Sequence, residues 1–364
     1  MPRSRAEPVA SRRYAELGPQ RLELGGTLPA VRLAFQTWGK QRGHNTVLVL
    51  HALTGDAHVS GTRGPDQPTP GWWDEVVGPG RALDTNRWFV VAANVLGGCR
   101  GSTGPSSAHP DGGTWGSRFP RITVRDQVAA EAALADHLGV RRFAAVIGGS
   151  MGGMRALEWG LMHPDRVGSL VVLASTAAAS ADQIGTQSTQ IEAITSDPGW
   201  HGGDYRSFGT SPGTGLGIAR RIAHLTYRSA DELDARFGRQ VQPDGRYAVR
   251  SYLDHHASKL VRRFDAGSYV ALTDAMNTHD VGRDRGGVDA ALSTLRVPTT
   301  VAGISSDRLY PLAQQERIAA TAPGSGPLQV IGSEHGHDGF LVESAQVGAL
   351  IREALVAASN PASA

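Results

Sequence analysis

Residues 148–153 read Gly-Gly-Ser-Met-Gly-Gly, between the apolar run Phe143-Ala-Ala-Val-Ile147 and the helical pattern Met154-Arg-Ala-Leu-Glu-Trp159. A serine set among glycines where a strand passes into a helix occupies a strained turn that only small neighbours permit, and its hydroxyl is pushed clear of the sheet. The chemistry this offers is nucleophilic attack on an acyl group by Ser150. A glycine-rich turn that merely closes a strand–helix unit is the plain alternative, and partners in the right order decide against it. An acid and then a histidine are needed downstream. Arg296-Val-Pro-Thr-Thr-Val-Ala-Gly303 is a β-branched run whose exit, Ile304-Ser-Ser-Asp307, places Asp307 in a loop. Leu328-Gln-Val-Ile331 is the next run, and Gly332-Ser-Glu-His-Gly-His337-Asp follows it. His337 is the expected general base and Asp307 the group that fixes its tautomer. His335 is the competitor, read as a solvated loop residue. Asp338 is read as a turn residue or a substrate ligand.

The oxyanion of an acyl-transfer intermediate needs two preorganised backbone N–H donors. Met151, directly after the serine, is one. Leu53, in the His51-Ala-Leu-Thr-Gly55 loop that follows the strand Thr46–Leu50, is the other. His51 and His58 complete no familiar metal-ligand spacing, so no metal is expected. Gly213-Thr-Gly-Leu-Gly217 has the wrong spacing for a dinucleotide loop, and no phosphate-binding Gly-x4-Gly-Lys-Ser/Thr occurs.

Positioning these groups requires a sheet. Strands are expected near 46–50, 88–93, 143–147, 169–174, 297–302 and 328–331, and helices near 125–138, 152–163, 312–321 and 344–357. An antiparallel hairpin is expected ahead of them, over residues 21–35, turning at Gly25-Gly26. The pattern is that of an α/β protein with a mostly parallel sheet covered by helices on both faces. From about 178 to 295 strand signals stop, and helical segments 181–196, 217–227 and 246–264 take over. The reading is one core, 13–177 with 296–358, and a helical lid of 178–295 that overhangs Ser150. Residues 1–12 and 359–364 are expected to be disordered.

Composition narrows the function classes. In 364 residues, 36 Lys and Arg face 34 Asp and Glu, so no basic excess argues for nucleic acid or a membrane surface. No run approaches a membrane span or a signal h-region. Cys99 is the single cysteine, which excludes intrachain disulfides and fits a reducing compartment, with the cytoplasm as the expected location.

Resemblance carries further than motif logic. The segments His51–His58, Gly71-Trp-Trp-Asp74, Asn94–Ser107, Arg125-Asp-Gln-Val128, Gly148–Trp159, Asp182–Gln187, Arg220–Arg228, Phe264–Tyr269, Ser306–Pro311 and Gly336–Leu341 together resemble the homoserine O-acetyltransferases, acyltransferases of the α/β-hydrolase fold. The likeness runs from about residue 14 to 357. It implies transfer of acetyl from acetyl-CoA to the side-chain hydroxyl of L-homoserine, through an acetyl-serine intermediate, as an entry step of methionine biosynthesis. It also implies Arg220 on the substrate carboxylate, Asp338 on the ammonium, and a homodimer joined through lid helices. Tyr227, seven residues beyond Arg220 on the same helical face, is read as lining that pocket or, equally, as ordinary lid packing. No cofactor is implied beyond acetyl-CoA as donor substrate. Homoserine or serine O-succinyltransferase, and a thioesterase or esterase, remain the alternatives. Arg63, Arg81 and Arg100 stand equally open as contacts to the CoA phosphates.

Overall fold

The computed structural model describes residues 11–64, 67 and 69–359. Eight strands form the main sheet: β1 (Arg13–Glu16), β2 (Arg32–Trp38), β3 (Thr46–Leu50), β4 (Phe89–Ala93), β5 (Ala145–Gly149), β6 (Leu170–Leu173), β7 (Thr299–Ile304) and β8 (Gln329–Ile331). Their order is β1-β2-β4-β3-β5-β6-β7-β8. The pairs β1·β2 and β2·β4 are antiparallel, and every other neighbouring pair is parallel. Parallel strands need crossovers on the faces of the sheet, and sequence periodicity shows the result. Val47 and Val49 of β3 pack into one core, with Trp73, Ile147, Val171 and Ile351. Leu48 and Leu50 pack into the opposite one, with Val128, Leu157, Trp159 and Ile318.

The helices are α1 (Val124–His137), α2 (Met151–Met162), α3 (Ala181–Thr195), α4 (Gly213–Tyr227), α5 (Ala230–Phe237), α6 (Ala248–Val261), α7 (Ala266–Asn277), α8 (Val288–Leu292), α9 (Leu312–Thr321), α10 (Gly339–Val342) and α11 (Ser344–Ser359). Local chemistry explains several starts. Thr123 and Asp126 make a capping box for α1, Ser180 and Gln183 one for α3, and Asp265 caps α7 by accepting from the Ser268 amide. Between β6 and β7 the described chain adds no strand to the main sheet. Its helices α3, α4, α6 and α7 pack on one another around a separate apolar cluster with Ile194, Leu216, Leu260, Tyr269 and Leu272.

The edge strand β1 lies outside every expected strand, and expected and observed elements differ in further places. The glycine turn forms, with positive φ at Gly25 and Gly26, but it closes only a two-residue ladder between Gln20–Arg21 and Thr27–Leu28. β2 leaves that turn to pair with β1 and β4, because a seven-residue strand that buries Leu33, Ala34, Phe35 and Trp38 gains more in the main sheet than on a hairpin. Helices α5, α7, α8 and α10 lie outside the expected ranges: α5 buries no residue, α8 and α10 are only five and four residues long, and α7 opens on Ala-Gly-Ser although it buries Tyr269, Leu272 and Met276. The disorder expected of 1–12 and 359–364 falls mostly outside the described residues, although Ser359 still belongs to α11.

Candidate active site

Ser150 stands between β5 and α2 with φ 58° and ψ −124°, a conformation that costs a non-glycine residue on the order of 1–3 kcal/mol. Its surroundings hold it there. The Ser150 amide donates to the Leu173 carbonyl at 2.9 Å, and Ser175 Oγ donates to the Ser150 carbonyl at 2.8 Å. Two glycines are steric necessities. A Cβ on Gly148 would meet the Gly152 carbonyl oxygen at 2.1 Å, and one on Gly152 would meet the Leu50 carbonyl oxygen at 2.2 Å. The strand, the elbow and the helix touch backbone to backbone, which is why the sequence reads Gly on both sides.

Asp307 and His337 are brought together as expected. His337 Nδ1 donates to Asp307 Oδ2 at 2.6 Å, while Asp307 Oδ1 accepts from the amides of Leu309 and Tyr310 at 2.8 and 3.0 Å. The carboxylate is thus fixed on both oxygens, and Nε2 is the imidazole nitrogen left to exchange a proton. Burial opposes charge on His337. The Asp307 carboxylate, with a smaller contribution from Asp338, outweighs that and raises its pKa above the ordinary imidazole value. His335 is elsewhere, half-buried, with its Nδ1 3.4 Å from Glu232.

The two amides expected for the oxyanion lie on elements tied to each other. Met151 opens α2, whose first-turn amides have no intrahelical partner. Leu53 lies in the loop after β3, and Arg155 of α2 donates to the His51 carbonyl of that loop while it pairs with buried Glu131. Trp159 Nε1 holds the other Glu131 oxygen at 2.9 Å. His51 itself is an internal brace: its Nδ1 meets the Ala52 carbonyl at 2.7 Å and its Nε2 accepts from the Val95 amide at 3.1 Å. Burial, then Arg155, pushes its pKa down to about 3, so it stays neutral.

Ser150, His337 and Leu53 open onto one cavity of about 270 Å³. Arg220, Tyr227 and Asp338 line it too, so all three expected substrate ligands share the cavity with Ser150 and His337. Arg220 Nε and Nη1 are buried and have no hydrogen-bond partner among the described residues. Its guanidinium lies over the Tyr227 ring, 5.3 Å from the centroid, and that ring is 5.8 Å from His337. Arg221 beside it is a different case: it pairs with Asp254 at 2.8 Å. Asp338 is largely buried, and its pKa is raised by that burial against the opposing charges of Arg228, His337 and Arg220.

Sequence reasoning missed several groups here. Arg228 sits 3.3 Å from Asp338 and 3.1 Å from Glu232. The Tyr310 hydroxyl is buried next to Ser150 and Gln187, and burial, then Tyr227 and Asp307, drives its pKa far up. Lys259 and Arg263 add two cations at the α6 side of the cavity, whereas His224 and His256 are pushed to about 2 and about 4, first by burial and then by Arg220, and add none. Arg63, Arg81 and Arg100 do not line the cavity. The only advance signal was chain proximity, as in Arg228 adjoining Tyr227, because each contact joins distant segments.

Comparison with known proteins agrees with this geometry. The family model described as the alpha/beta hydrolase fold matches residues 45–343. Homoserine O-acetyltransferase of Thermobifida fusca (strain YX) is 61% identical over 359 residues, covering 96% of this chain and 95% of its own. Among solved structures, homoserine O-acetyltransferase from Bacillus anthracis superposes with a TM-score of 0.87 at 23% identity, covering 96% of this chain and 98% of that one. Esterase E22 superposes equally well, with a TM-score of 0.87 at 24% identity, over 95% of this chain and 100% of that one, so the fold alone does not separate transfer from hydrolysis.

Proposed function

We infer the reaction from one premise: this chain belongs to the homoserine O-acetyltransferase family, within the α/β-hydrolase fold. It moves the acetyl group of acetyl-CoA to the side-chain hydroxyl of L-homoserine in two half-reactions. Ser150 Oγ attacks the thioester carbonyl as His337 Nε2 takes its proton, and the oxyanion that forms accepts from the Met151 and Leu53 amides. The carbon–sulfur bond breaks, the thiol leaves with the proton from His337, and acetyl stays on Ser150. The homoserine hydroxyl then gives its proton to His337 and attacks the ester, and Ser150 leaves with that proton. O-acetyl-L-homoserine departs, an intermediate of methionine biosynthesis. Asp307 stabilises the imidazolium in both halves.

One observation carries this reading over hydrolysis: the buried, unpartnered Arg220 nitrogens face the same cavity as Asp338 and Ser150. A guanidinium for a carboxylate and a carboxylate for an ammonium hold an α-amino acid by both charged groups, with its hydroxyl beside the acyl-serine. An ester hydrolase has no use for that pair. Lys259 and Arg263 supply positive charge that zwitterionic homoserine does not neutralise, and they suit the CoA phosphates. Ser150 provides the covalent chemistry, so no cofactor is required.

The helical segment between β6 and β7 acts as a lid that restricts water. Ile184, Phe208, Ile218, Val241 and Tyr247 are exposed large apolar side chains in that segment, which favours a homodimer formed through it. No described helix is long and apolar enough to cross a membrane, and the single cysteine favours the cytoplasm. The test follows CoA release with and without L-homoserine, and with succinyl-CoA and L-serine in parallel. Homoserine-dependent release from acetyl-CoA supports the reading. Release indifferent to any amino acid means a thioesterase, and a preference for succinyl-CoA or serine reassigns the donor or acceptor.

A further inference from the structure

Arg228 follows the last residue of α4 in extended backbone, φ −105° and ψ 148°, which carries its side chain back toward the cavity. Its Nη2 lies 3.3 Å from Asp338 Oδ2 and its Nη1 lies 3.1 Å from Glu232 Oε1. The backbone on either side is locked against the histidine loop. A Cβ on Gly336 would meet the Tyr227 carbonyl oxygen at 2.6 Å and the Ser229 nitrogen at 2.7 Å, and Ser229 Oγ donates to the Glu334 carbonyl at 2.6 Å. Arg228 is therefore held in place across the seam between lid and core, rather than reaching for Asp338 by chance.

Asp338 needs such a neighbour. A buried carboxyl group tends to stay neutral, and a neutral carboxyl cannot neutralise an ammonium. Six charged or titratable groups among the described residues face it: Arg228, Arg220 and His337 favour ionisation, Glu232 opposes it, and the Tyr227 and Tyr252 hydroxyls, both raised in pKa by burial, stay neutral and add no charge. Arg220 is reserved for a substrate carboxylate, and His337 must be neutral to act as the base, so in the active form of the site it lends Asp338 no charge. Among the described residues, Arg228 is the permanent cation bonded to Asp338. Its second bond, to Glu232, balances the charge: Arg228 with two carboxylates leaves one net negative charge, which an incoming ammonium cancels.

We propose that Arg228 is a positioning residue that sets acceptor specificity, holding Asp338 ionised and aimed into the cavity so that the site selects a hydroxy-acid acceptor bearing an α-ammonium group. This rests on the acceptor site inferred above. A protein without this device binds the amine-free hydroxy acid about as well as the amino acid.

The experiment uses the full chain with L-homoserine and with 4-hydroxybutanoate, which keeps the carboxylate and hydroxyl and lacks the amine. Wild type, Arg228→Gln, Arg228→Lys and Asp338→Asn are assayed from about pH 6 to about pH 9, and each protein's kcat/KM for homoserine is divided by its own value for 4-hydroxybutanoate, so that the titration of His337, to which Asp338 contributes, cancels within each protein. The acetyl-enzyme burst counts intact sites in each preparation. Arg228→Gln is expected to lose roughly tenfold to a hundredfold with homoserine at the acid end, to recover as pH rises and Asp338 ionises, and to change little with 4-hydroxybutanoate. Arg228→Lys restores most of the loss, and Asp338→Asn loses the preference for the amine at every pH. A loss equal for both acceptors, a pH-independent loss, or no loss overturns the proposal. Should Arg228→Gln not fold, the wild type still decides: its homoserine KM stays flat to about pH 6 if Asp338 is held ionised, and a KM that climbs as pH falls overturns the proposal. If the wild type releases CoA without regard to homoserine, the functional reading itself fails and takes the inference with it. If it transfers acetyl to homoserine and the variants behave otherwise, only the inference fails.

Discussion

Replacing Arg220 by alanine removes the guanidinium whose Nε and Nη1 have no hydrogen-bond partner among the described residues, in the cavity that Ser150 also lines. Hydrogen bonds to charged groups contribute about 1.5–3 kcal/mol each when net desolvation is counted. Two such bonds in a half-buried cleft, already stripped of some water, amount to about 3 kcal/mol toward the homoserine carboxylate. At about 1.4 kcal/mol per decade that is roughly a hundredfold in kcat/KM for homoserine. The donor half-reaction does not involve the acceptor carboxylate. Rapid mixing with acetyl-CoA, followed by CoA release before and after homoserine is added, separates the two halves. Arg220→Ala is expected to give its acetyl-enzyme burst at close to the wild-type rate and to stall in the second half, while Arg220→Lys, with one point charge in place of a planar fork, falls between. A burst slowed as much as the homoserine step would refute the reasoning, because Arg220 would then serve the donor or the fold rather than the acceptor.

Four further outcomes are expected. Activity needs neutral His337, whose pKa is raised because Asp307 outweighs burial, so the acid limb of kcat/KM lies above pH 6.5 and moves down in the residual activity of Asp307→Asn. The same shift makes the pair stabilise the fold fully below the unfolded imidazole value of about 6.5 and progressively less as pH rises through the folded value, which denaturant titrations across that range would register. Gly152→Ala would drive a Cβ to 2.2 Å from the Leu50 carbonyl oxygen and so separate α2 from β3; a loss of about 1–3 kcal/mol and of the acetyl-enzyme burst is expected, and normal kinetics would show that the elbow tolerates the strain. Lys259→Ala should raise KM for acetyl-CoA about tenfold and leave a short N-acetylcysteamine thioester unaffected, and an equal effect on both donors would remove the phosphate role from this residue.

Much of the site was legible because its chemistry is written in local pattern. Ser150, Asp307 and His337 each follow a strand that announces itself by β-branched or apolar runs, and glycines mark the turns that expose them. The strands of the parallel core were read to within two residues for the same reason. β1 escaped because a four-residue edge strand buries only Ala15. α5 escaped because it buries no residue, and α7 because it opens on Ala-Gly-Ser, although Asp265 was a visible cap. Arg228 and Tyr310 were invisible as site residues for a deeper cause. Their importance comes from Asp338 and from Ser150 with Gln187, across more than a hundred residues of chain, and no spacing rule encodes a contact of that kind.

The most direct measurement of the central claim is to incubate the purified protein with acetyl-CoA alone, locate the acetyl group by peptide mass spectrometry, and then add L-homoserine. The expected result is acetyl on the peptide carrying Ser150, lost on addition of homoserine as O-acetyl-L-homoserine appears in equal amount, and no adduct in Ser150→Ala. An acetyl group on another residue, or Ser150→Ala forming product at the wild-type rate, would contradict the account.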